Sequence, residues 1–388
     1  MQLQKLSNTM KRIGIDCRLW NETGVGRYIR NLVVNLQKID TTNEYVLFAL
    51  SKDFKDIQFI IHNSKFIIQK CDIPWHTLSE QLEFPKILKK ANLDLVHFPY
   101  FSMPIRYKGK FVVTMHDLIL HHFPTGKAST HTLFFYNLKL LGYKYIISQA
   151  AIKAQKILTV SETTKQEIID HLHVPAEKIV VTYEGIDAQL TRYNSQETNK
   201  TTSYFLYVGN AYPHKNLESL MDAFSLFLRH FEMPDQVRHD VKLILVGKGD
   251  FFYKRLEKKV KQAGLENNIV FKHAISDGEL MSLYKNALAL VMPSLMEGFG
   301  LPGLEAMENN CLVIASDIPI FHEIYKDVSL YFDPKDTHSL AEILLNVYNG
   351  KIQSLPARKK NGKELAKKFT WEKTARQTLA VYESCLSI

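Results

Sequence analysis

Twice along its 388 residues the chain runs through the same alternation of short, continuously apolar segments and longer segments with helical spacing. In the first half the apolar runs are RIGIDCRL from Arg12, EYVLFAL, FIIHN, KFIIQK, LDLVHF (Leu93 to Phe98), KFVVTMHD (Lys110 to Asp117), KILTVSE (Lys156 to Glu162) and KIVVTYEG. Between the first two lies a segment with Ile29, Leu32, Val33 and Leu36 on one helical face. Residues 191–202 are polar and without apolar period, which reads as a linker. The second half restarts with YFLYVGN, VKLILVGKG, NIVFKHA, LALVMPS and CLVIASD as strands, separated by helical segments such as NLESLMDAFSLFL. Ser161 and Ser276 stand where helix N-caps belong. Strands apolar on both faces belong in parallel sheets covered by helices. The alternation therefore predicts an α/β chain of two doubly wound, Rossmann-like domains facing a central cleft. The expected domains are 1–190, the linker 191–202, 203–370, and a C-terminal helix over 371–388 that packs back toward the first domain.

Composition narrows the class further. Hydrophobic residues at 46% and charged residues at 23% exclude disordered and low-complexity chains. Cys17, Cys71, Cys311 and Cys385 lie far apart with no C-x-x-C pair, so neither a disulfide scaffold nor a zinc ribbon is expected. Free thiols suit a reducing cytosol. No run approaches the length of a spanning helix, and MQLQKLSNTMKR lacks a signal-peptide core. Met10 is a candidate start, because MKRIGID enters the first strand directly. His230 to Lys242 reads as a polar surface insertion. Residues 1–190 carry 24 Lys/Arg against 17 Asp/Glu, a net of +7 out of the +9 of the whole chain. That asymmetry favours an anionic partner.

Ligands of doubly wound sheets sit at the carboxyl ends of the strands, so the strand-end residues are the candidates. The glycine turn Gly24-Val25-Gly26 follows the first strand and opens a helix, where backbone N–H groups and the helix dipole can meet a phosphate. A third glycine would be needed at Ile29 for a dinucleotide fingerprint. VGNAYPHKN places Asn210, His214 and Lys215 between strand and helix, and Lys215 is positioned as a cation facing a diphosphate. Gly247 marks a further strand-end turn. In PSLMEGFGLPGLEAM, Glu297 and Glu305 flank the turn Gly298-Phe299-Gly300-Leu301, and a helix begins near Leu301–Pro302. Carboxylates so placed can accept hydrogen bonds from the diols of an elongated ligand. His116 ends the strand in TMHDLI. His121, His122 and His131 match no zinc template, and the chain has no D-x-D triplet, so no metal is assigned.

This ordered set resembles the retaining glycosyltransferases of family 4, with GT-B architecture. PSLMEGFGLPGLEAM is similar to their E-x7-E signature; IDCRLWNETGVGRYIRNL, VHFPYF, TMHDLILHHFP, ILTVSETTKQEI, VVTYEGID, LYVGNAYPHKNLESLMDAF, LILVGKG and FTWEKTA follow in the family's order. YVGN…PHKNL further resembles bacterial mannosyl and related sugar transferases that build surface polysaccharide. The resemblance implies that Glu297 faces the transferred sugar, Glu305 the ribose, Lys215 the diphosphate and His116 the sugar pocket. The Gly24–Gly26 turn would approach the phosphates, and the backbone of Gly298 to Leu301 the sugar and phosphate. It implies a nucleotide-sugar donor, a glycan or polyprenyl-diphosphate-linked acceptor, no cofactor or metal, and a cytoplasmic protein able to attach to an anionic membrane face. Asn210 and His214 stand where many members carry arginine, which shifts the diphosphate toward Lys215 and the helix termini. Three rivals remain open: a two-domain NAD-dependent oxidoreductase, a non-catalytic nucleotide-sugar-binding protein, and a nucleic-acid binder suggested only by charge.

Overall fold

The computed structural model describes residues 10–123, 133–186, 203–230 and 241–387. The expected linker 191–202, most of the His230 to Lys242 insertion and His131 fall outside the described residues. The chain divides into two compact units. One comprises 10–121, 133–185 and 371–387; the other takes in 186, 203–230 and 241–370, with 122–123.

The first unit holds a seven-stranded sheet of β1 (Arg12–Asp16), β2 (Glu44–Ala49), β3 (Phe66–Lys70), β4 (Leu95–Phe98), β5 (Phe111–Met115), β6 (Lys156–Thr159) and β7 (Ile179–Val181), in the order β3-β2-β1-β4-β5-β6-β7. Every pair is parallel. Ile13, Ile15, Val46, Phe48, Val96, Val112 and Val113 are fully buried, as strands covered on both faces must be. FIIHN is not a strand: Phe54–Ile60 is a helix that buries Ile57 and leaves Phe59 83% exposed. A short apolar run fits either period, and here the i, i+3 spacing of Phe54, Ile57 and Ile60 wins. The helix Trp371–Leu386 belongs to this unit, where the Tyr382 hydroxyl meets His97 Nδ1 at 2.6 Å and Trp371 lies edge-on to Tyr28.

The second unit holds β8 (Tyr204–Val208), β9 (Lys242–Val246), β10 (Ile269–Lys272), β11 (Ala289–Met292), β12 (Val313–Ser316) and β13 (Leu330–Phe332), in the order β10-β9-β8-β11-β12-β13, again all parallel. The short β13 was not among the expected strands. Ser276 and Ser161 cap their helices as expected, accepting from the backbone N–H of Glu279 and Thr164.

In both sheets the chain leaves the first strand in one direction and later returns on its other side. β1 lies between β2 and β4, and β8 between β9 and β11. At such a reversal the connections leave toward opposite faces, and a crevice opens at the carboxyl ends of the two strands. The segments after β8 and β11, and those after β1 and β4, therefore have the first claim to a ligand. No described helix is long and apolar enough to cross a membrane.

Candidate active site

At the reversal point of the second sheet, β8 delivers Lys215 and β11 delivers Glu297. The Lys215 ammonium lies 2.6 Å from Glu297 Oε1, and the Ser294 hydroxyl donates to the same oxygen at 2.7 Å. The two side chains are only 15% and 9% exposed. Burial pushes the Glu297 carboxyl up, but the charge and hydrogen bond of Lys215, with Ser294, outweigh it and hold the group below its ordinary value. The result is an ionised carboxylate beside a fixed cation, at a strand end.

His214, next to Lys215, is buried and pushed down to about 4 by burial and by the neighbouring ammonium. It is neutral at pH 7 and supplies no second cation. Asn210 is taken up by its own turn: its Oδ1 accepts from Tyr212 N, and its carbonyl from the Tyr207 hydroxyl. Gly247 has a packing reason. A Cβ there would stand 2.2 Å from both the Gly209 carbonyl and the Tyr253 hydroxyl. The Tyr253 hydroxyl bridges the ends of β8 and β9 by donating to Gly209 O and Val246 O.

The glycine-rich turn resolves residue by residue. Gly298 begins it; Phe299 is buried against Phe369. Gly300 has φ +94°, and a Cβ would lie 2.4 Å from the Tyr325 hydroxyl, which donates to Gly300 O at 2.5 Å. Only glycine meets both demands. Leu301 opens the helix Leu301–Glu308, with proline in its first turn and no side-chain cap. Within that first turn the Gly303 N–H donates to the Gly300 carbonyl at 3.1 Å. Glu305 sits one turn in and is buried, and its Oε2 accepts from the Tyr284 hydroxyl at 2.9 Å. The two glutamates of the signature occupy different environments: Glu297 pairs with a cation, and Glu305 is anchored by a phenol.

In the first unit the glycines are not a turn, as expected, but the first turn of the helix Gly24–Ile39 itself. The reason is backbone proximity: a Cβ at Gly26 would lie 2.5 Å from the Trp20 carbonyl, so this end of the helix packs directly on the preceding loop. Gly24 faces open space, and no side chain caps the helix. His116 follows β5. Its Nδ1 lies 3.3 Å from Glu184 Oε1 and its Nε2 3.0 Å from Pro99 O. Burial lowers its pKa, but Glu184 and the Pro99 carbonyl raise it more, so the net shift is upward. With an acceptor at each nitrogen the ring fits the doubly protonated form. His121 Nδ1 meets the Tyr143 hydroxyl.

Residues 191–365 match the family of group 1 glycosyl transferases, and residues 23–190 match Glycosyltransferase Family 4. The chain is a group 1 glycosyltransferase. It is 26% identical to the O-antigen chain mannosyltransferase RfbU of Salmonella typhimurium over 84% of this chain and 87% of that one. It is 28% identical to the O-antigen chain mannosyltransferase B of Escherichia coli over 93% and 96%. The Anabaena protein Alr3699/HepE, solved in complex with UDP-glucose, superposes with a TM-score of 0.72 at 17% identity, over 96% of this chain and all of that one. That likeness establishes the GT-B fold alone. Membership in a transferase family removes the oxidoreductase reading.

Several groups of this glycosyltransferase escaped the sequence. Ser294 stood in the same segment as Glu297, and its spacing of three was a usable signal. Glu184 lies in the VVTYEGID segment, but nothing local announced its pairing with His116. Tyr284 and Tyr325 arrive from other helices, so no local pattern could assign them to Glu305 and Gly300.

Proposed function

We propose that this glycosyltransferase moves mannose from GDP-mannose, with retention at the anomeric carbon, to a glycan or polyprenyl-diphosphate-linked acceptor of a bacterial surface polysaccharide. The observation that carries the reading is the Lys215–Glu297 pair at 2.6 Å, an ionised carboxylate beside a cation at the carboxyl ends of β8 and β11. Lys215 would take the donor diphosphate, and Glu297 the hydroxyls of the transferred sugar. The names of the two mannosyltransferase relatives support mannose. The UDP-glucose bound to the Anabaena neighbour makes uridine donors the rivals to exclude.

In the proposed reaction the bond from the anomeric carbon to the diphosphate oxygen breaks, and its electron pair leaves with the nucleotide. The acceptor oxygen bonds on the same face, and its proton passes to the departing phosphate. No protein nucleophile is needed. With His214 neutral, charge on the leaving group falls to Lys215 and to the N-terminal end of the helix Leu301–Glu308. Removing one such donor costs about 10²–10³ in rate. We further propose that no metal takes part, and that the protein works in the cytoplasm. The net +7 of residues 1–190 favours attachment to an anionic inner leaflet.

The test is a panel of nucleotide sugars with EDTA present, read by thermal shift and by release of nucleotide diphosphate, for wild type and Glu297→Ala. A ligand at 100 times its Kd stabilises by about 2.7 kcal/mol. GDP-mannose standing out, with turnover lost in the variant, is the expected result. Turnover of a uridine donor alone, or activity abolished by EDTA and restored by a divalent ion, overturns the donor or the metal-free reading respectively. Sedimentation with vesicles that shows no preference for anionic lipid overturns the membrane reading.

A further inference from the structure

Both protein hydrogen bonds to the Glu297 carboxylate end on one atom. The Lys215 ammonium lies 2.6 Å from Oε1, and the Ser294 hydroxyl donates to it at 2.7 Å. Oε2 has no donor among the described residues, and it is not sealed in the interior. A carboxylate pinned through one oxygen has a fixed direction, and here the second oxygen is the one left to a ligand. The backbone sets the pin. Ser294 is fully buried two residues past β11, the strand that pairs with β8 on one side and β12 on the other. The next residue, Leu295, donates its N–H to the His214 carbonyl at 2.8 Å. That bond ties the loop carrying Glu297 to the segment carrying Lys215.

The two donors respond differently to an anion. Lys215 is a cation with three protons on a flexible four-carbon stem, and an arriving diphosphate competes with Glu297 for its charge. Ser294 is neutral and enclosed, and it gives its one hydroxyl proton to Glu297. That bond is not drawn off by a charge arriving in the crevice. Without it, a single ammonium would have to hold both the carboxylate and the diphosphate.

We propose that Ser294 is a positioning residue for sugar transfer: its buried hydroxyl keeps Glu297 anchored through Oε1, with Oε2 turned to the hydroxyls of the transferred sugar, while Lys215 shares its charge with the donor diphosphate. Ser294 acts through Glu297 and touches neither sugar nor phosphate. The inference rests on the glycosyltransfer reading above and deepens it, by naming which carboxylate oxygen the sugar meets and what holds the other.

Three variants of the full-length protein separate the hydrogen bond from packing. Ser294→Ala removes the hydroxyl, Ser294→Cys keeps the volume with only a weak donor, and Ser294→Thr keeps the hydroxyl. Release of nucleotide diphosphate from the preferred nucleotide sugar is followed at steady state. In Ser294→Ala and Ser294→Cys, kcat falls about 10–100-fold, the scale of a hydrogen bond to a charged group, with the donor KM within about twofold of wild type. Ser294→Thr recovers most of the rate.

The pH profile reads the contact itself. The titratable groups facing Glu297 are Lys215 and His214 after β8, Tyr207 on β8 and Tyr325 from the helix Pro319–Tyr325. Burial pushes both phenols far up, and His214, at about 4, touches no atom of Ser294 and titrates in wild type and variant alike. Ser294 helps hold the Glu297 carboxyl below its ordinary value, so its loss moves the acid limb of kcat to higher pH. A kcat unchanged in Ser294→Ala, a loss as deep in a Ser294→Thr that melts with wild type, or a lowered kcat with an unmoved acid limb overturns the proposal. Should Ser294→Thr melt far below wild type, the acid limb of Ser294→Ala decides alone. A wild type that releases nucleotide diphosphate from no donor sinks the glycosyltransfer reading instead. The contact is then decided by melting: Ser294→Ala should fall below wild type at pH 7 and approach it below about pH 4, where a carboxyl of depressed pKa gives up its contribution.

Discussion

Replacing Glu297 by glutamine keeps the shape of the side chain and removes its charge, leaving Lys215 without its counter-ion. Breaking a fully buried pair costs about 3–5 kcal/mol. Lys215 and Glu297 are 15% and 9% exposed, and water at the ammonium recovers part of that. Ser294 can still donate to the amide oxygen. The expected loss is about 2 kcal/mol, or about 4–8 °C in the melting of a unit of this size. The sign of the pH dependence follows from the lowered pKa of Glu297. A carboxyl whose folded value is depressed contributes stability that is fully present above its unfolded value, about 4.3, and is lost as pH falls through the folded value. Calorimetry of wild type and Glu297→Gln should therefore show a constant deficit from about pH 6 to 8 that closes below about pH 4. Turnover, followed as release of nucleotide diphosphate, should fall by about 10²–10³. A variant that melts with wild type at pH 7, or whose deficit persists undiminished in acid, would falsify the account of a structural ion pair at the site.

Three further outcomes follow from the same geometry. Tyr284→Phe removes the hydroxyl that donates to Glu305 Oε2, and it should cost about 1–2 kcal/mol and raise the donor KM; equal KM values in steady-state kinetics would remove Glu305 from the donor site. Gly300→Ala meets a left-handed φ and a Tyr325 hydroxyl 2.4 Å from the new Cβ, so it should destabilise by about 2–3 kcal/mol, whereas Gly24→Ala, facing open space, should melt like wild type in the same calorimetry. His116 has a raised pKa, so its pairing with Glu184 contributes stability that is present below its unfolded value of about 6.5 and fades as pH rises through the folded one. Glu184→Gln should accordingly melt below wild type at about pH 6 and converge with it at about pH 9, and a gap that widens with pH would reverse the assignment.

The strand–helix grammar was legible because a parallel sheet buried on both faces demands unbroken apolar runs, and β1, β5, β8 and β12 supply them. It failed where a run was short. FIIHN carries apolar residues that fit either period, and it begins inside the last turn of the helix Phe54–Ile60, whose buried residue is Ile57 while Phe59 stays outside. The glycines were legible as special positions but not in their purposes. Gly26 and Gly247 are small because backbone or a tyrosine hydroxyl passes within 3 Å of where a Cβ would be. Gly300 alone among the site glycines combines such a contact with a backbone that disfavours any other residue. Spacing cannot separate these cases, since each is decided by a neighbour distant in the chain.

Strand–helix alternation, caps and the signature glutamates depend on local pattern and on short-range sterics, and the residues alone are enough to recover them: the parallel architecture, the strand-end positions of Lys215 and Glu297, the serine caps, the family. Electrostatic state is a different matter. Whether His214 is a cation, whether His116 holds two protons, and which phenol anchors Glu305 all follow from burial and from partners brought in by packing. The buried Arg18 guanidinium donates to Asp16 and Glu80, and Glu80 accepts from Ser102, a network that only the closing of the sheet brings together. Charge interactions in a low-dielectric interior act over a few ångströms of space without regard to separation along the chain, so their pattern belongs to the folded molecule.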